Sequence, residues 1–183
     1  MSIKSWAKQA FFKGAKSNHG QQQPPKLINV ISAGVGAFIG IGLIVEIVNT
    51  FPGLELLVIG SFGASAVLLY GAPKAPFSQP RNLIGGHLIS AIIGLLCFQL
   101  LPDIAGFQEA AAVALAIMVM LLTRTTHPPG GATALIAVIG SDYLHGLGWG
   151  YVFVVMAGVF TMLLVALIVN NIFFPGIYPQ RWD

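Results

Sequence analysis

Cysteine occurs once, at Cys97, and acidic side chains only six times in 183 residues. A single cysteine excludes an intramolecular disulfide and any multi-cysteine metal or iron–sulfur site. Cys97 lies in an apolar run and reads as a small packed hydrophobe. Charged residues make up 8% of the chain, against about 25% in an ordinary soluble domain. With 56% hydrophobic residues and a mean hydropathy of +0.82, too few polar groups remain to cover a soluble surface. A soluble enzyme and a soluble binding module are therefore excluded, and the length suits one membrane domain of a few spans. Other signals are missing too. No His pair stands at i, i+4, and there is no phosphate-binding loop, dinucleotide fingerprint or nucleophile–base set. The expectation is a protein that is not an enzyme, holds no metal and needs no cofactor.

The charge that is present is unevenly placed. Nine basic and six acidic residues leave a formal charge of +3, and Lys4, Lys8, Lys13, Lys16 and Lys26 all precede the first long apolar stretch. In a membrane protein such a cluster sets orientation, with no nucleic-acid partner implied. Residues 1–26 lack the apolar core of a signal peptide. Ile3, Trp6, Ala7, Ala10 and Phe11 fall at helical spacing, so this basic segment reads as an interfacial helix or a frayed tail, ended by a Gln/Pro linker. Residues 176–183 read as a short C-terminal tail.

Between them, residues 27–175 hold six apolar segments: Leu27–Phe51, Gly53–Tyr70, Asn82–Leu101, Phe107–Thr123, Pro128–Gly140 and Trp149–Phe174. The fifth is short. At about 1.5 Å per residue it crosses only part of a hydrocarbon core about 30 Å thick. It is either a span completed by non-helical backbone or a re-entrant hairpin. If all six cross from a cytoplasmic N-terminus, all nine Lys and Arg lie inside and the outer loops hold Asp103, Asp142 and His145. If segments two and five only dip in, Lys74, Arg81 and Arg124 move outside. The positive-inside rule favours six crossings in an inner membrane with both termini cytoplasmic.

Gly63-Ala-Ser-Ala-Val-Leu-Leu69 is echoed 68 residues later by Gly131-Ala-Thr-Ala-Leu-Ile-Ala137. The same offset maps segment three into six and overlaps segment one with four. The expected fold is all-α, a polytopic bundle of two inverted three-segment halves with broken middle helices, a recurring transporter plan.

The strongest local signal is His127-Pro128-Pro129-Gly130-Gly131-Ala132-Thr133. Prolines suit the first turn of a helix and not its interior, so a helix is predicted to start here. Helix N-termini present unpaired amides and a partial positive charge, which suits an anion. The repeat partner around Gly63 and Ser65 is predicted to restart segment two in the same way. Two converging N-termini, with Ser65 and Thr133 as hydroxyl donors, then form an anion pathway. Arg81 and Arg124 read as an electrostatic lure at its mouth or as interfacial anchors. His87 and His127, at membrane depth, are candidates for proton coupling, and Glu46 joins them if it does not reach the outer interface. Asn170 and Asn171 line the inner mouth or cap the last helix. Gly36 and Gly40 give a small-xxx-small face, read as packing more than pore.

Four blocks, in order, resemble the signatures of the HPP family of integral membrane proteins. They are Gly60-Ser-Phe-Gly-Ala-Ser-Ala-Val-Leu-Leu69, Gln79-Pro-Arg-Asn82, Gly85-Gly-His87 and His127-Pro-Pro-Gly-Gly-Ala-Thr-Ala-Leu135. The resemblance covers residues 27 to 175 and implies a multi-span protein usually described with four helices, a count at odds with the six above. Some members are associated with nitrite transport. The combined expectation is a membrane transporter of a small monovalent anion, nitrite first, embedded in lipid and prone to form homo-oligomers. The alternative is a non-transporting assembly or sensor module.

Overall fold

A computed structural model describes residues 24–50 and 57–182. The reading of residues 1–23 as an interfacial helix lies outside the described residues. The elements are helical throughout. Helix α1 is Leu27–Asn49. A composite helix, α2 (57–71), joins a π-helical stretch Leu57–Phe62, an α-helical turn Gly63–Ala66 and a second π-helical stretch Val67–Gly71. Then come α3 (Pro80–Leu100), α4 (Phe107–Thr123), α5 (Pro129–Ile139), the short α6 (Asp142–Leu147) and α7 (Gly150–Phe173). Among the described residues there is no strand.

Local chemistry accounts for several boundaries. Pro80 and Pro129 stand at the starts of α3 and α5, where a missing N–H costs nothing. Helix α4 ends on Arg124 in the left-handed region (φ 57°), with the Thr125 amide donating 2.9 Å to the Met120 carbonyl. That is the wrapped helix end usually closed by glycine. Ser141 caps α6 by accepting from the Leu144 amide at 3.3 Å.

Helices α1, α3 and α7 are long and apolar enough to cross a membrane, whereas α4 has 17 residues and α5 has 11. The segments nevertheless run alternately between two ends of one bundle. At the first end Arg81 Nη2 donates to the Thr123 carbonyl (3.0 Å), tying the start of α3 to the end of α4. Asn170 Nδ2 donates to the Leu69 carbonyl (3.0 Å), tying α7 to α2. At the second end Gln108 Nε2 donates to the Leu101 carbonyl (2.8 Å), and the His145 ring stacks 3.7 Å from Phe98. Segment five is thus a broken passage: non-helical backbone carries residues 125–127 inward from the first end, Pro128 already has helical geometry (φ −52°, ψ −39°), and α5 completes the run. The alternation is what an inverted pair of halves requires. Segments two and five differ in detail, since α2 carries π-helical turns and α5 does not.

The charges sort with the ends. Every basic residue in the described stretches (Lys26, Lys74, Arg81, Arg124, Arg181) belongs to the first end, and Glu46, Asp103, Glu109 and Asp142 lie toward the second. The outside is the greasy surface: Phe38, Leu122 and Phe153 are about four-fifths exposed. The interior holds Ser61, Ser65, His87, Ser90, His127, Thr133 and Asn170, all buried. Apolar outside and polar inside is the arrangement lipid favours.

Lipid gives little hydrophobic drive between helices, so close backbone approach and internal hydrogen bonds must hold them together. Glycines provide the approach. The Tyr70 ring lies on Gly36 and Gly40 of α1, which makes that glycine face a packing seam. A Cβ on Gly94 would meet the Ala134 carbonyl at 2.5 Å, so α3 and α5 touch nearly backbone to backbone. Residues 176–183, expected as a tail, are docked as far as the described residues run. Tyr178 is buried with its hydroxyl donating to the Ser78 carbonyl (2.9 Å), Asn171 bonds the Tyr178 backbone, and the Gln180 amide donates to Gln79 Oε1 (2.8 Å).

Candidate functional site

Helix α3 brings the site together because its inner face is nearly bare of side chains beside His87. A Cβ on Gly85 would strike Thr125, and one on Gly86 would strike the Cβ of His127. The non-helical residues 125–127 therefore lie directly on α3, and Asn82 Nδ2 fixes them by donating to the Thr126 carbonyl (2.8 Å). This places the His127 ring against His87, with centroids 4.9 Å apart. From the other side α2 brings Ser61 and Ser65, one helical turn apart, and α5 brings Thr133.

These five side chains are fully buried and joined to one another. His127 Nδ1 stands 2.8 Å from the Phe77 carbonyl, and its Nε2 is 3.0 Å from Ser65 Oγ. Ser65 Oγ is also 2.9 Å from His87 Nε2. His87 Nδ1 is 2.8 Å from Thr133 Oγ1, which is 2.5 Å from Ser61 Oγ. Ser65 and Thr133, counterparts in the 68-residue repeat, thus bond the two opposite nitrogens of one imidazole. Tyr151 of α7 supports the site from outside, donating to the Thr133 carbonyl at 2.7 Å. Among the described residues every buried side-chain polar atom has a partner. Such a network is strong when complete and costly when one member is lost.

Of the residues expected at a pathway, His87, His127, Ser65 and Thr133 converge. Pro128, Pro129, Gly130 and Gly131 shape the start of α5, and Gly130 lets it lie against Ser90 and the Gly86 carbonyl. Two expectations need correction. Helix α2 does not restart at Gly63: Phe62 is itself helical (φ −74°, ψ −32°), so residues 60–66 offer no helix N-terminus. At α5 the N-terminus is real but its amides are occupied. Pro128 and Pro129 have no N–H, the Gly130 amide donates to the His127 carbonyl (2.8 Å), and the Gly131 amide donates to the Pro128 carbonyl (3.1 Å). The donors at this site are hydroxyls and ring nitrogens, not backbone amides. Glu46 does not join them. It is exposed on α1, off the buried stripe Ser32–Gly36–Gly40–Ile44–Val48.

Arg81 and Arg124 are exposed at the first end. At the same end, but not lined by either arginine, a cavity of about 400 Å³ is lined by Asn29, Ser32, Tyr70, Lys74 and Asn170 among others. Ser61, Tyr151 and Lys74 were not singled out from sequence. For Ser61 a signal existed: it stands four residues before Ser65, on the same helical face.

Replacing Thr133 by valine keeps the volume and deletes the hydroxyl. His87 Nδ1 and Ser61 Oγ each lose a partner, so the detergent-solubilised protein is expected to lose about 1–3 kcal/mol of stability. Thr133→Ser should retain most of it. Thermal unfolding of the two variants side by side checks this, and equal melting temperatures would show that the hydroxyl bonds contribute little.

The model of the family described as HPP, transmembrane region, matches residues 22–179. A transmembrane protein of Dictyostelium discoideum is 39% identical over 98% of this chain and 65% of its own length. A second transmembrane protein from the same organism is 44% identical over 81% of this chain and 49% of its own length. The chain therefore spans about two thirds of the first and about half of the second. No solved structure matches it.

Proposed function

This chain belongs to the HPP transmembrane family, and on that premise we propose that it transports a small monovalent anion, nitrite first, through the site around His87 and His127. One observation carries the reading: hydroxyls and imidazoles from three different segments converge at the centre of a bundle whose outside is apolar. Polar groups at membrane depth are expensive, and a cluster of them marks a solute path. Ser61, Ser65 and Thr133 are the anion's hydroxyl donors, and His127 supplies a ring N–H. The basic end faces inward by the positive-inside rule, which places both termini and the Lys74–Asn170 cavity on the cytoplasmic side.

The network is sealed, so passage requires an element to move. Helix α2 is suited to this. Its two π-helical stretches flank the turn that bears Ser65, and π-helical turns are frequent at functional sites. A shift of α2 withdraws Ser61 and Ser65 from both rings and opens the site.

Saturable nitrite uptake by proteoliposomes containing the purified protein, above protein-free vesicles, is the expected result. A fully paired network also fits a purely structural clamp in an assembly module. Cysteines placed at Ser65 and Thr133 separate the two readings: a pathway admits water-soluble thiol reagents during turnover, and a clamp protects both positions.

Arg124→Gly has two expected effects of opposite benefit. Glycine relieves the left-handed backbone at the end of α4, raising stability by about 1 kcal/mol. It also removes a cation from the mouth, so nitrite uptake falls severalfold at low ionic strength. The deficit shrinks at physiological salt, where the screening length is about 8 Å. A deficit that ignores salt would argue against the lure.

A further inference from the structure

We infer that transport is an electroneutral symport of one proton with one anion, the proton riding on His127 Nε2 and the anion serving as its counter-ion. This rests on the anion reading above and names its coupling.

The hydrogen bonds settle where protons sit. His127 Nδ1 faces a carbonyl, so it carries a hydrogen and, in the neutral ring, Nε2 is an acceptor. Ser65 then donates its one hydrogen to His127 Nε2. Ser65 Oγ must accept from His87, which puts a hydrogen on His87 Nε2 and makes Nδ1 an acceptor. Thr133 donates to that Nδ1 and accepts from Ser61. Every donor points the same way, from Ser61 through Thr133, His87 and Ser65 to His127.

A proton added to His127 Nε2 leaves this pattern complete with a single rotation. The nitrogen lone pair becomes an N–H bond as an O–H bond of the hydronium that delivers the proton breaks and leaves water, and no covalent bond of the protein breaks. Ser65 turns its hydrogen from His127 Nε2 to the Ser61 carbonyl, 3.1 Å away. Its oxygen then accepts from both rings. The network therefore has two fully bonded states, neutral and singly protonated, and Ser65 is the switch between them.

Among the described residues the charged state lacks a counter-ion. The groups facing the two rings are Ser61, Phe62 and Ser65 from α2, the Phe77 carbonyl from the 3-10 turn Pro76–Ser78 and Thr133 from α5, with Tyr151 of α7 behind Thr133 and Asn82 of α3 bonded to the neighbouring Thr126 carbonyl. Among the described residues no three His, Cys, Asp or Glu side chains gather, and neither ring is bonded to a carboxylate. The charge on His127 opposes a second proton on His87, whose ring centre is 4.9 Å away. An unpaired charge in such a site is strongly disfavoured. The proton and the anion each make the other's entry possible, so neither passes alone.

The test records nitrite uptake and internal pH together in proteoliposomes, with protein-free vesicles subtracted for leakage of nitrous acid. A potassium gradient with valinomycin sets the membrane potential. The expected result is one proton entering per nitrite, a severalfold faster uptake when the outside is acidified, and no dependence on the imposed potential. His127→Gln should lose the acceleration by acid. Nitrite uptake that follows the potential, or that proceeds without proton entry, overturns the symport while leaving the anion reading intact. No uptake under any gradient overturns the anion reading itself. These arms use the wild-type protein, so they decide even where the variant fails to fold.

Discussion

His127→Gln is expected to lower nitrite uptake at least tenfold, about 1.4 kcal/mol on the transport barrier, while the bundle still folds. His127 occupies the junction of the site. Its ring closes the path between Ser65 and the Phe77 carbonyl, and its backbone lies against Gly86. Glutamine keeps a polar end able to donate toward Phe77 but cannot hold a proton. His127→Ala is the harsher change. It leaves both Ser65 Oγ and the Phe77 carbonyl short of a partner, each costing about 1–3 kcal/mol, and its loss of uptake mixes folding with function. The glutamine variant, checked by a monodisperse profile in detergent, isolates the chemistry. Wild-type uptake by a well-folded His127→Gln protein would remove His127 from the mechanism.

Gly86→Ala is expected to damage stability and uptake together, although glycine brings no chemistry of its own. The added methyl would overlap His127 Cβ and sit 3.1 Å from the Thr125 carbonyl oxygen. Neither neighbour is the free end of a flexible side chain, so residues 125–127 must lift away from α3. Overpacking of this kind costs about 1–3 kcal/mol. Lifting also pulls the His127 ring from Ser65 and His87. Gly34→Ala is the matched control, because a Cβ there meets nothing within 4 Å. In that helix interior alanine should be neutral or stabilising by up to about 1 kcal/mol. Melting temperature and uptake measured on both variants decide the matter. If Gly86→Ala matches the control in both, residues 125–127 do not lie on α3 as described.

Much of the architecture is readable along the chain because membrane folding is governed by local rules. Hydropathy located the long helices α1, α3 and α7, since a span must be continuously apolar to lie in lipid. Pro128-Pro129 located the start of α5, because a residue without an N–H belongs in a first helical turn whatever surrounds it. The spacing of Lys and Arg anticipated a bundle with its basic residues at one end. His127 and His87 stood out because an ionisable ring at membrane depth is costly anywhere in the chain.

What followed from packing was not readable in this way. The converging helix N-termini expected at Gly63 and Gly131 do not exist as a pair. Helix α2 runs unbroken through Gly63, and the first amides of α5 close a turn on His127 and Pro128. Spacing indicates where a helix can begin, but whether an amide stays free depends on which carbonyl lies beside it. Ser61 and Tyr151 became part of the site only through partners 72 and 18 residues away. The sequence by itself determined the membrane class, the segment order, the charged ends and the two histidines, because burial in lipid and proline geometry act on each segment alone. Only the tertiary structure decided that Ser65 and Thr133 grip opposite nitrogens of His87 and that Ser65 links it to His127. Those bonds depend on distances of about 3 Å between separate helices, set by how closely Gly86, Gly94 and Gly130 let backbones approach.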